Sequence, residues 1–258
     1  MLKNISTSMG MFDNLLFRIG NKLKKPAGIK AAKVKDIPIV INNYNRLECL
    51  QKQIAWLERA GMRNIYIIDN ASTYPPLLAY YRQTPYTVFL LNRNVGFMAL
   101  WKTILFQRFR NDYYIYTDPD ILPIEKCPLD VIEYFYNLLQ KYTDADKVGF
   151  GLEIQDLPDS YPLRDKVQLW EGKFWKEDIE PNVYSAPIDT TFALYRPGSM
   201  GGSELRALRT GGIYIARHLS WYINPNQLSE EDLYFMNHLG SSSSWTTELL
   251  GKESNLKY

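Results

Sequence analysis

The sequence predicts a single α/β domain built on a mostly parallel central sheet with helices on both faces. Short apolar runs rich in β-branched residues alternate with segments whose apolar residues recur at helical spacing, in the order βαβαβαβ over residues 37–120. Parallel strands need crossover helices between them, so this alternation is typical of a sheet covered on both sides. With 258 residues, 46% of them hydrophobic, the chain can bury one large core.

The first half of the chain contains four predicted strands and three predicted helices. The strands are 37–43 (IPIVINN), 64–70 (NIYIIDN), 86–92 (YTVFLLN) and 112–120 (DYYIYTDPD). The helices are 46–61, which ends at Gly61, 75–83, which begins with two prolines, and 96–109 (GFMALWKTILFQRF). Ligands of such sheets collect at the carboxyl ends of the strands. Three of these ends are polar here, with the sequences NNYNR, DNAS and DPD.

The second half of the chain is less regular. Strands are predicted at 147–154, 188–196 and 211–218, an aromatic-rich amphipathic helix or loop at 161–175, and a helix at 229–240 that begins at a capping serine. The predicted organisation is an N-terminal arm at 1–35, a single domain at 36–240 and a flexible tail at 241–258.

Charge is distributed unevenly along the chain. Residues 1–35 contain eight Lys or Arg residues against Asp13, a net charge of +7, which leaves −5 on the remainder. This balance does not favour nucleic acid as a partner of the fold. The arm segment MFDNLLFRIGNKLKK predicts either peripheral contact with an anionic membrane or a helix packed on the body. Two widely spaced cysteines, Cys49 and Cys127, favour a cytoplasmic location, with possible peripheral contact at the inner face of the membrane.

Two aspartates follow the fourth strand, with Pro119 between them. Asp118 and Asp120 repel each other unless a cation lies nearby, and carboxylate oxygens are ligands that Mg²⁺ and Mn²⁺ accept. An ordinary surface turn is the alternative, because Asp and Pro are common turn residues. The position after a buried strand favours a site for a divalent cation and a diphosphate.

These segments resemble the glycosyltransferases of the GT-A fold, and within them the family 2 type. IPIVINNYNR resembles the opening strand and turn of that family, IYIIDNAST its second strand end, LNRNVGFMALW the stretch after its third strand, and YYIYTDPDI the strand that ends in its DXD motif. The resemblance covers about residues 37–122 in the correct order. It implies a GT-A catalytic domain and transfer of a sugar from a nucleoside diphosphate, expected to be UDP, to a glycan or lipid-linked acceptor.

The resemblance also implies roles for individual residues. The nucleotide would be contacted by Asn43, Tyr44, Arg46, Asp69, Asn94, Gly96, Lys102 and Asp118, with Asp69 accepting a hydrogen bond from the base and Asp118 holding ribose or a metal-bound water. Asp118, Asp120 and His218 would form the Mn²⁺ or Mg²⁺ site, since many GT-A enzymes complete it with a C-terminal histidine. A helix-cap or turn role for Asp69 and a structural role for His218 are the alternatives.

The general base is the least defined residue. The family supplies it from an ED-type motif between the DXD motif and the histidine, and the only similar sequence, SEED at 229–232, comes after His218. The candidates are therefore Asp189, beside two threonines, and then Glu171 and Glu204. An inverting outcome follows from such a base. The absence of a clean motif keeps a second function open, a nucleotide-sugar or glycan-binding module without turnover.

Overall fold

The computed structural model describes residues 1–5, 31–202 and 206–239, which share one central sheet. Its strands are β1 (Leu2–Ile5), β2 (Ile39–Asn43), β3 (Ile65–Asp69), β4 (Thr87–Leu91), β5 (Tyr114–Thr117), β6 (Ile121–Pro123), β7 (Lys147–Leu152), β8 (Asp178–Glu180), β9 (Val183–Ser185), β10 (Ala193–Tyr195) and β11 (Ala207–His218). The α-helices are α1 (Glu48–Arg59), α2 (Pro75–Gln83), α3 (Phe106–Phe109), α4 (Val131–Lys141), α5 (Arg164–Glu171) and α6 (Glu230–Asn237). Short 3₁₀ helices span Ala31–Asp36, Gly172–Trp175 and Leu219–Tyr222.

The sheet has a parallel half and a mixed half. Strands run in the order β1-β4-β3-β2-β5-β10-β7-β11-β9-β8, and β6 pairs with β11. The first five are parallel to one another. β10 is then antiparallel to both β5 and β7, β7 is parallel to β11, and the remaining pairs are antiparallel. The predicted α/β class is confirmed, and its parallel character is concentrated in the first half of the chain.

Helices cover the sheet on both faces because side chains alternate along each strand. Ile39 and Ile41 of β2 belong to one core, which also contains the buried faces of α1, α2 and α4. Val40 of β2 belongs to the other core, together with the segment that leads into α3. The strands are therefore apolar on both sides, which explains why their sequences are continuous hydrophobic runs.

The structure departs from two of the predicted elements. Residues 97–105 form successive turns, and a regular helix is limited to α3. Three consecutive residues, Ala99–Trp101, are buried there, which is wider than the stripe that one helix face can bury. The strand predicted at 188–196 is limited to β10. Its first residues form a loop instead, whose role in the site is described below.

The arm and the tail are described only in part. Leu2–Ile5, within the predicted arm, form the edge strand β1 parallel to β4. The amphipathic segment at 11–25 and the tail at 241–258 lie outside the described residues, so the membrane contact of the arm stays a prediction. Across the described part of the chain, no helix combines the length and apolarity that crossing a bilayer requires.

Candidate active site

The polar strand ends predicted from the sequence lie side by side. β2 is flanked by β3 and β5, and Asn43 at the end of β2 is in register with Asp69 at the end of β3. Asp118 follows β5 directly on the other side of β2. Gln53 of α1 fixes this turn, because its amide donates to the carbonyls of Asp118 and Ile121 at 2.9 and 2.7 Å. The DPD turn is thus held rigidly at the carboxyl edge of the sheet.

Asp118 is a carboxylate under electrostatic strain. Burial raises its pKa well above the usual value, and the neighbouring charges of Asp120 and Asp189 act in the same direction. Hydrogen bonds from the Thr190 hydroxyl, 2.8 Å from Oδ2, and from the side chain of Asn42 oppose this shift. Three acids thus meet at one corner, and a positive charge placed among them would relieve their repulsion.

Asp120 lies between two groups from the end of β11. Its Oδ2 is 3.4 Å from Nε2 of His218 and accepts a hydrogen bond from the Ser220 hydroxyl. Its main-chain carbonyl accepts from Leu219 N at 2.7 Å. The pairing of β11 with β6 places His218 opposite Ile121, which brings the histidine to the acid pair across about one hundred residues of sequence.

The donor chemistry of Asp120 and His218 suits a divalent cation. An oxygen of Asp120 and an imidazole nitrogen face each other, and the second ring nitrogen, Nδ1, is buried without a hydrogen-bond partner among the described residues. Within the described part of the chain, no three His, Cys, Asp or Glu side chains are arranged to hold one ion. The predicted set of Asp118, Asp120 and His218 therefore supplies two neighbouring ligands, with Asp118 bonded to Thr190 instead. Mg²⁺ commonly uses one or two protein ligands together with substrate phosphates.

Asp189 lies at this corner as well. It is exposed, on the loop between β9 and β10, rather than at the start of a strand as the sequence predicted. The next residue in that loop, Thr190, is the one that donates to Asp118. The loop therefore brings a solvent-accessible carboxylate close to the acid pair, where it influences the pKa of Asp118.

Asp69 is engaged by its own surroundings. One carboxylate oxygen accepts from Ser72 N and the other from the Tyr81 hydroxyl, both at 3.1 Å. The Asn43 amide donates to the same hydroxyl at 2.8 Å. Burial raises the pKa of Asp69 despite these bonds. The structure thus shows the turn-stabilising role that was the alternative for Asp69, and its contact with a nucleotide base stays a prediction.

The turn at Tyr44 to Arg46 is covered by α6. Arg46 Nη1 is 2.5 Å from Oδ1 of Asp232, and its guanidinium lies 3.9 Å from the ring centre of Phe235. The Tyr44 hydroxyl donates to the His238 carbonyl at 2.5 Å. The capping box at Ser229 confirms the predicted helix start. Arg46 is consequently a partner of α6, and a nucleotide would have to approach this turn beside that helix.

Glu231 of α6 makes a second contact with the opening of the sheet. Its carboxylate accepts from Leu47 N at 2.7 Å and from Glu48 N at 3.0 Å, so it caps the N-terminus of α1. Burial raises its pKa, against the effect of these bonds. The SEED sequence therefore joins α6 to α1.

The expectation that Asn94 and Gly96 open a helix with free N–H groups is wrong. Turns follow Gly96, whose N–H donates to Asn94 Oδ1, and Val95 N donates to Asn70 Oδ1, both at 2.8 Å. Gly96 has φ +82, a conformation that favours glycine. Lys102 extends at the surface, where its ammonium donates to the Val95 carbonyl at 3.1 Å. The side chains of Asn94 and Asn70 thus fix this loop by bonds to its main chain.

Of the two reserve candidates for the base, the structure describes Glu171. Glu171 is buried, and its Oε2 is 2.5 Å from Nη1 of Arg209. The guanidinium of Arg209 in turn lies 4.2 Å from the ring centre of Phe174. Such a pair is structural, because the carboxylate is buried and already bonded to the guanidinium, so an acceptor hydroxyl does not reach it. Glu204 lies outside the described residues.

A pocket of about 360 Å³ borders Ser220, the residue that donates to Asp120. Its wall also contains Glu48 and Lys52 of α1 and Tyr222. Asn224 and Gln227 add neutral polar groups. This lining of mixed charges, amides and a phenol is suited to a ligand rich in hydroxyl groups.

Sequence analysis missed three residues of the site. Thr190, Ser220 and Asn42 all bond to the acid pair. Asn42 could have been selected, because it precedes Asn43 at the same strand end. Ser220 and Thr190 reach the acids across 100 and 72 residues of sequence, and no local pattern reports such a contact.

Solved structures that are similar to this chain include the three described here. No protein-family model and no curated protein sequence matches the chain. Residues 1–349 of S. aureus TarS are 13% identical over 62% of this chain and 47% of that one, with a TM-score of 0.39. Glucosyl-3-phosphoglycerate synthase from Mycobacterium tuberculosis, in complex with phosphoglyceric acid, is 10% identical over 76% and 65%, with a TM-score of 0.41. A mycobacterial protein is 13% identical over 75% and 72%, with a TM-score of 0.44. The chain thus spans about half of the TarS structure and 65% of the synthase, and the likeness assigns no activity.

Proposed function

We propose that this protein is a GT-A-type glycosyltransferase that transfers a sugar from a nucleoside diphosphate, expected to be UDP, to a hydroxyl of a glycan or lipid-linked acceptor. One observation carries the proposal. Asp118 and Asp120, at the carboxyl end of β5, lie beside Asn42 on one side, His218 on another and the Asp189 loop on a third. The resemblance of residues 37–122 to the family and the polar strand ends support the same conclusion.

The acid pair is suited to a diphosphate together with a divalent cation. Asp120 and His218 would hold Mn²⁺ or Mg²⁺, whose charge stabilises the departing nucleoside diphosphate. Asp118 would orient the ribose or a bound water while Thr190 and Asn42 hold its side chain in place. Lys102 is exposed and long enough to add a positive charge near the phosphates.

Asp189 is the preferred general base. Its carboxylate is exposed, so an acceptor hydroxyl can reach it, and the adjacent Thr190 ties its loop to Asp118. In the reaction we propose, Asp189 takes the proton of the acceptor hydroxyl as its oxygen bonds to the anomeric carbon. The bond from that carbon to the diphosphate oxygen breaks, and its electron pair leaves with the nucleoside diphosphate. This single displacement inverts the anomeric configuration.

The acceptor would occupy the pocket that borders Ser220. Glu48 and Lys52 leave its wall with charges of both signs, and Asn224, Gln227 and Tyr222 offer donors and acceptors to sugar hydroxyls. Because Ser220 belongs both to this wall and to the Asp120 contact, an acceptor bound here lies next to the reacting phosphates.

Thermal unfolding in the presence of UDP or UDP-sugars tests the proposal. With Mn²⁺ and UDP at about one hundred times Kd, binding adds about 2.7 kcal/mol to the free energy of unfolding, which raises Tm by roughly 5 °C or more. EDTA and the variant Asp120→Asn should each remove most of this shift. Asp144→Asn, which changes an exposed acid paired with Arg206, is the matched control and should retain it.

Three outcomes of this screen are decisive. A UDP-induced shift that is equal with Mn²⁺ and with EDTA would contradict the cation at Asp120. No shift with any nucleoside diphosphate or its sugars would remove the transferase proposal. A metal-dependent shift without any release of nucleotide from UDP-sugars, over a panel of glycan acceptors, would favour a binding module instead.

A further inference from the structure

Two buried cationic side chains donate hydrogen bonds to the main chain of the loop between β9 and β10. Arg209 Nε donates to the Pro187 carbonyl at 2.8 Å. Lys147 Nζ donates to the Ile188 carbonyl at 2.5 Å, and the Asp189 carbonyl lies 3.4 Å from the same nitrogen. The carbonyls of three consecutive residues are therefore held by side chains from β11 and β7, at the place where the sequence predicted a strand.

Lys147 has an environment that is unusual for a lysine. It is the first residue of β7 and is 1% exposed. Its nitrogen also lies 3.5 Å from the Tyr195 hydroxyl and 5.1 Å from the centre of that ring. Buried lysines are rare because the ammonium loses its hydration, so the carbonyls and the phenol must replace that water.

The buried amine is directed at the functional part of the loop. Ile188 and Asp189, whose carbonyls it contacts, immediately precede Thr190, the donor to Asp118. Asp189 keeps its carboxylate exposed while its carbonyl lies near Lys147. The position of Asp189 therefore depends on Lys147, which is buried and does not contact a reactant.

We propose that Lys147 is a positioning residue, which holds the main chain at Ile188 and Asp189 so that Thr190 reaches Asp118 and the Asp189 carboxylate lies at the acid pair. The catalytic role of the loop rests on the proposed function. The attachment of the loop to Lys147 does not depend on that function. Glu171 contributes indirectly, since its ion pair with Arg209 fixes the second cation beneath the same loop.

Several charged groups surround Lys147. Its pKa is lowered to about 8, chiefly by burial, with the Arg209 charge acting in the same direction and the Asp189 and Asp146 charges opposing it. The Tyr195 hydroxyl is the neutral group at the same nitrogen. The balance of these effects is consistent with an amine placed for its hydrogen bonds to carbonyls.

Amide hydrogen exchange measures the attachment of the loop without any ligand. In Lys147→Met, which keeps the length of the side chain without its donors, we expect exchange in residues 188–192 to accelerate at least about tenfold. Exchange in β2, β3 and β5 should stay unchanged. Lys141→Met, at an exposed lysine that pairs with Glu180, is the control and should alter neither region. Unchanged exchange at 188–192 in Lys147→Met, whatever the activity of the protein, would overturn the inference.

A double-mutant cycle of Lys147 and Thr190 tests whether Lys147 affects the reaction through the loop or only stabilises the fold. Thr190→Val removes only the hydroxyl that binds Asp118, so its effect on kcat and that of Lys147→Met should be non-additive if both act through the loop. We expect each single variant to lower kcat about tenfold or more with little change in the Kd of UDP and Mn²⁺. Lys147→Arg, which retains donors, should recover part of the rate. Additive losses, or a loss in UDP affinity alone, would contradict the positioning role.

Failure of the wild-type protein to bind UDP with Mn²⁺ would count against the proposed function and leave the exchange result decisive for the loop.

Discussion

At the end of β3, in the parallel half of the sheet, the polar residues are held by partners 3 to 26 residues away in sequence, whereas the acid pair is held by groups of the mixed half that lie 72 to 100 residues away. Asp69 bonds to Ser72 and Tyr81, and Asn70 bonds to the Val95 and Gly96 main chain. In the mixed half, the groups that engage the acid pair come from positions 190, 218 and 220.

The two halves also differ in the charge that they bury. The strand ends of the parallel half bury an acid, Asp69, among the amides of Asn43 and Asn70. The mixed half buries Lys147 and the Arg209–Glu171 pair, and each of its two cations contacts a loop carbonyl. The parallel half thus supplies a fixed frame for the DPD turn, and the mixed half supplies the groups that would carry out chemistry there.

The largest effect is expected for Asp189→Asn. The loop that carries Asp189 connects the mixed half of the sheet to the DPD turn at the edge of the parallel half. Loss of a general base costs about 10²–10⁴ in rate, and we expect kcat to fall by roughly 10³, about 4 kcal/mol. The kcat is measured as nucleotide release from the UDP-sugar that stabilises the protein most. The thermal midpoint should hardly change, since the Asp189 side chain is exposed.

The control for this variant is Asp144→Asn, an exposed acid of the mixed half that pairs with Arg206. Asp144→Asn should retain full activity, because a surface ion pair contributes little to the stability of a folded protein. A kcat for Asp189→Asn within threefold of wild type would exclude Asp189 as the base and with it the chemical role assigned to the loop.

The sequence predicts the elements of the parallel half of the sheet better than the contacts made by the mixed half. β2, α1, β3, α2 and β4 lie within two residues of their predicted positions, because apolar periodicity and turn residues determine them locally. Residues 97–105 were predicted wrongly as helix, since burial of consecutive side chains overrides their helical spacing. At the site, the DPD turn was identified from its position after a buried strand, and His218 through the family resemblance. Thr190 and Ser220 were not, because their contacts depend on the pairing of β10 and β11 with distant strands.

Glu171→Gln should have the next largest effect, and on stability rather than rate. Breaking a buried ion pair by changing one partner leaves the other charge unpaired and costs about 3–5 kcal/mol. We expect the free energy of unfolding, from urea titration, to fall by about 3 kcal/mol, with kcat of the folded fraction within threefold of wild type. Since Glu171 pairs with Arg209 at 2.5 Å, the double variant Glu171→Met with Arg209→Met should recover part of this loss. The opposite pattern, a stable Glu171→Gln protein with a large loss in kcat, would restore Glu171 as a candidate base.

Lys147 sharpens the comparison through the pH dependence of stability, with an effect of about the same size as that of Glu171→Gln. Burial lowers its pKa from 10.5 to about 8. The unfolded chain therefore binds more protons than the native protein between about pH 8 and 10.5, and the stability due to this group rises with pH across that window. A difference of this size corresponds to about 3 kcal/mol. Urea titrations at pH 7.5, 9 and 10.5 should show wild type gaining this amount relative to Lys147→Met, because other groups titrate equally in both proteins. If the two stability curves run parallel, the pKa of Lys147 is the same in the native and the unfolded protein, and the hydrogen bonds of the ammonium to the loop carbonyls then compensate in full for its lost hydration.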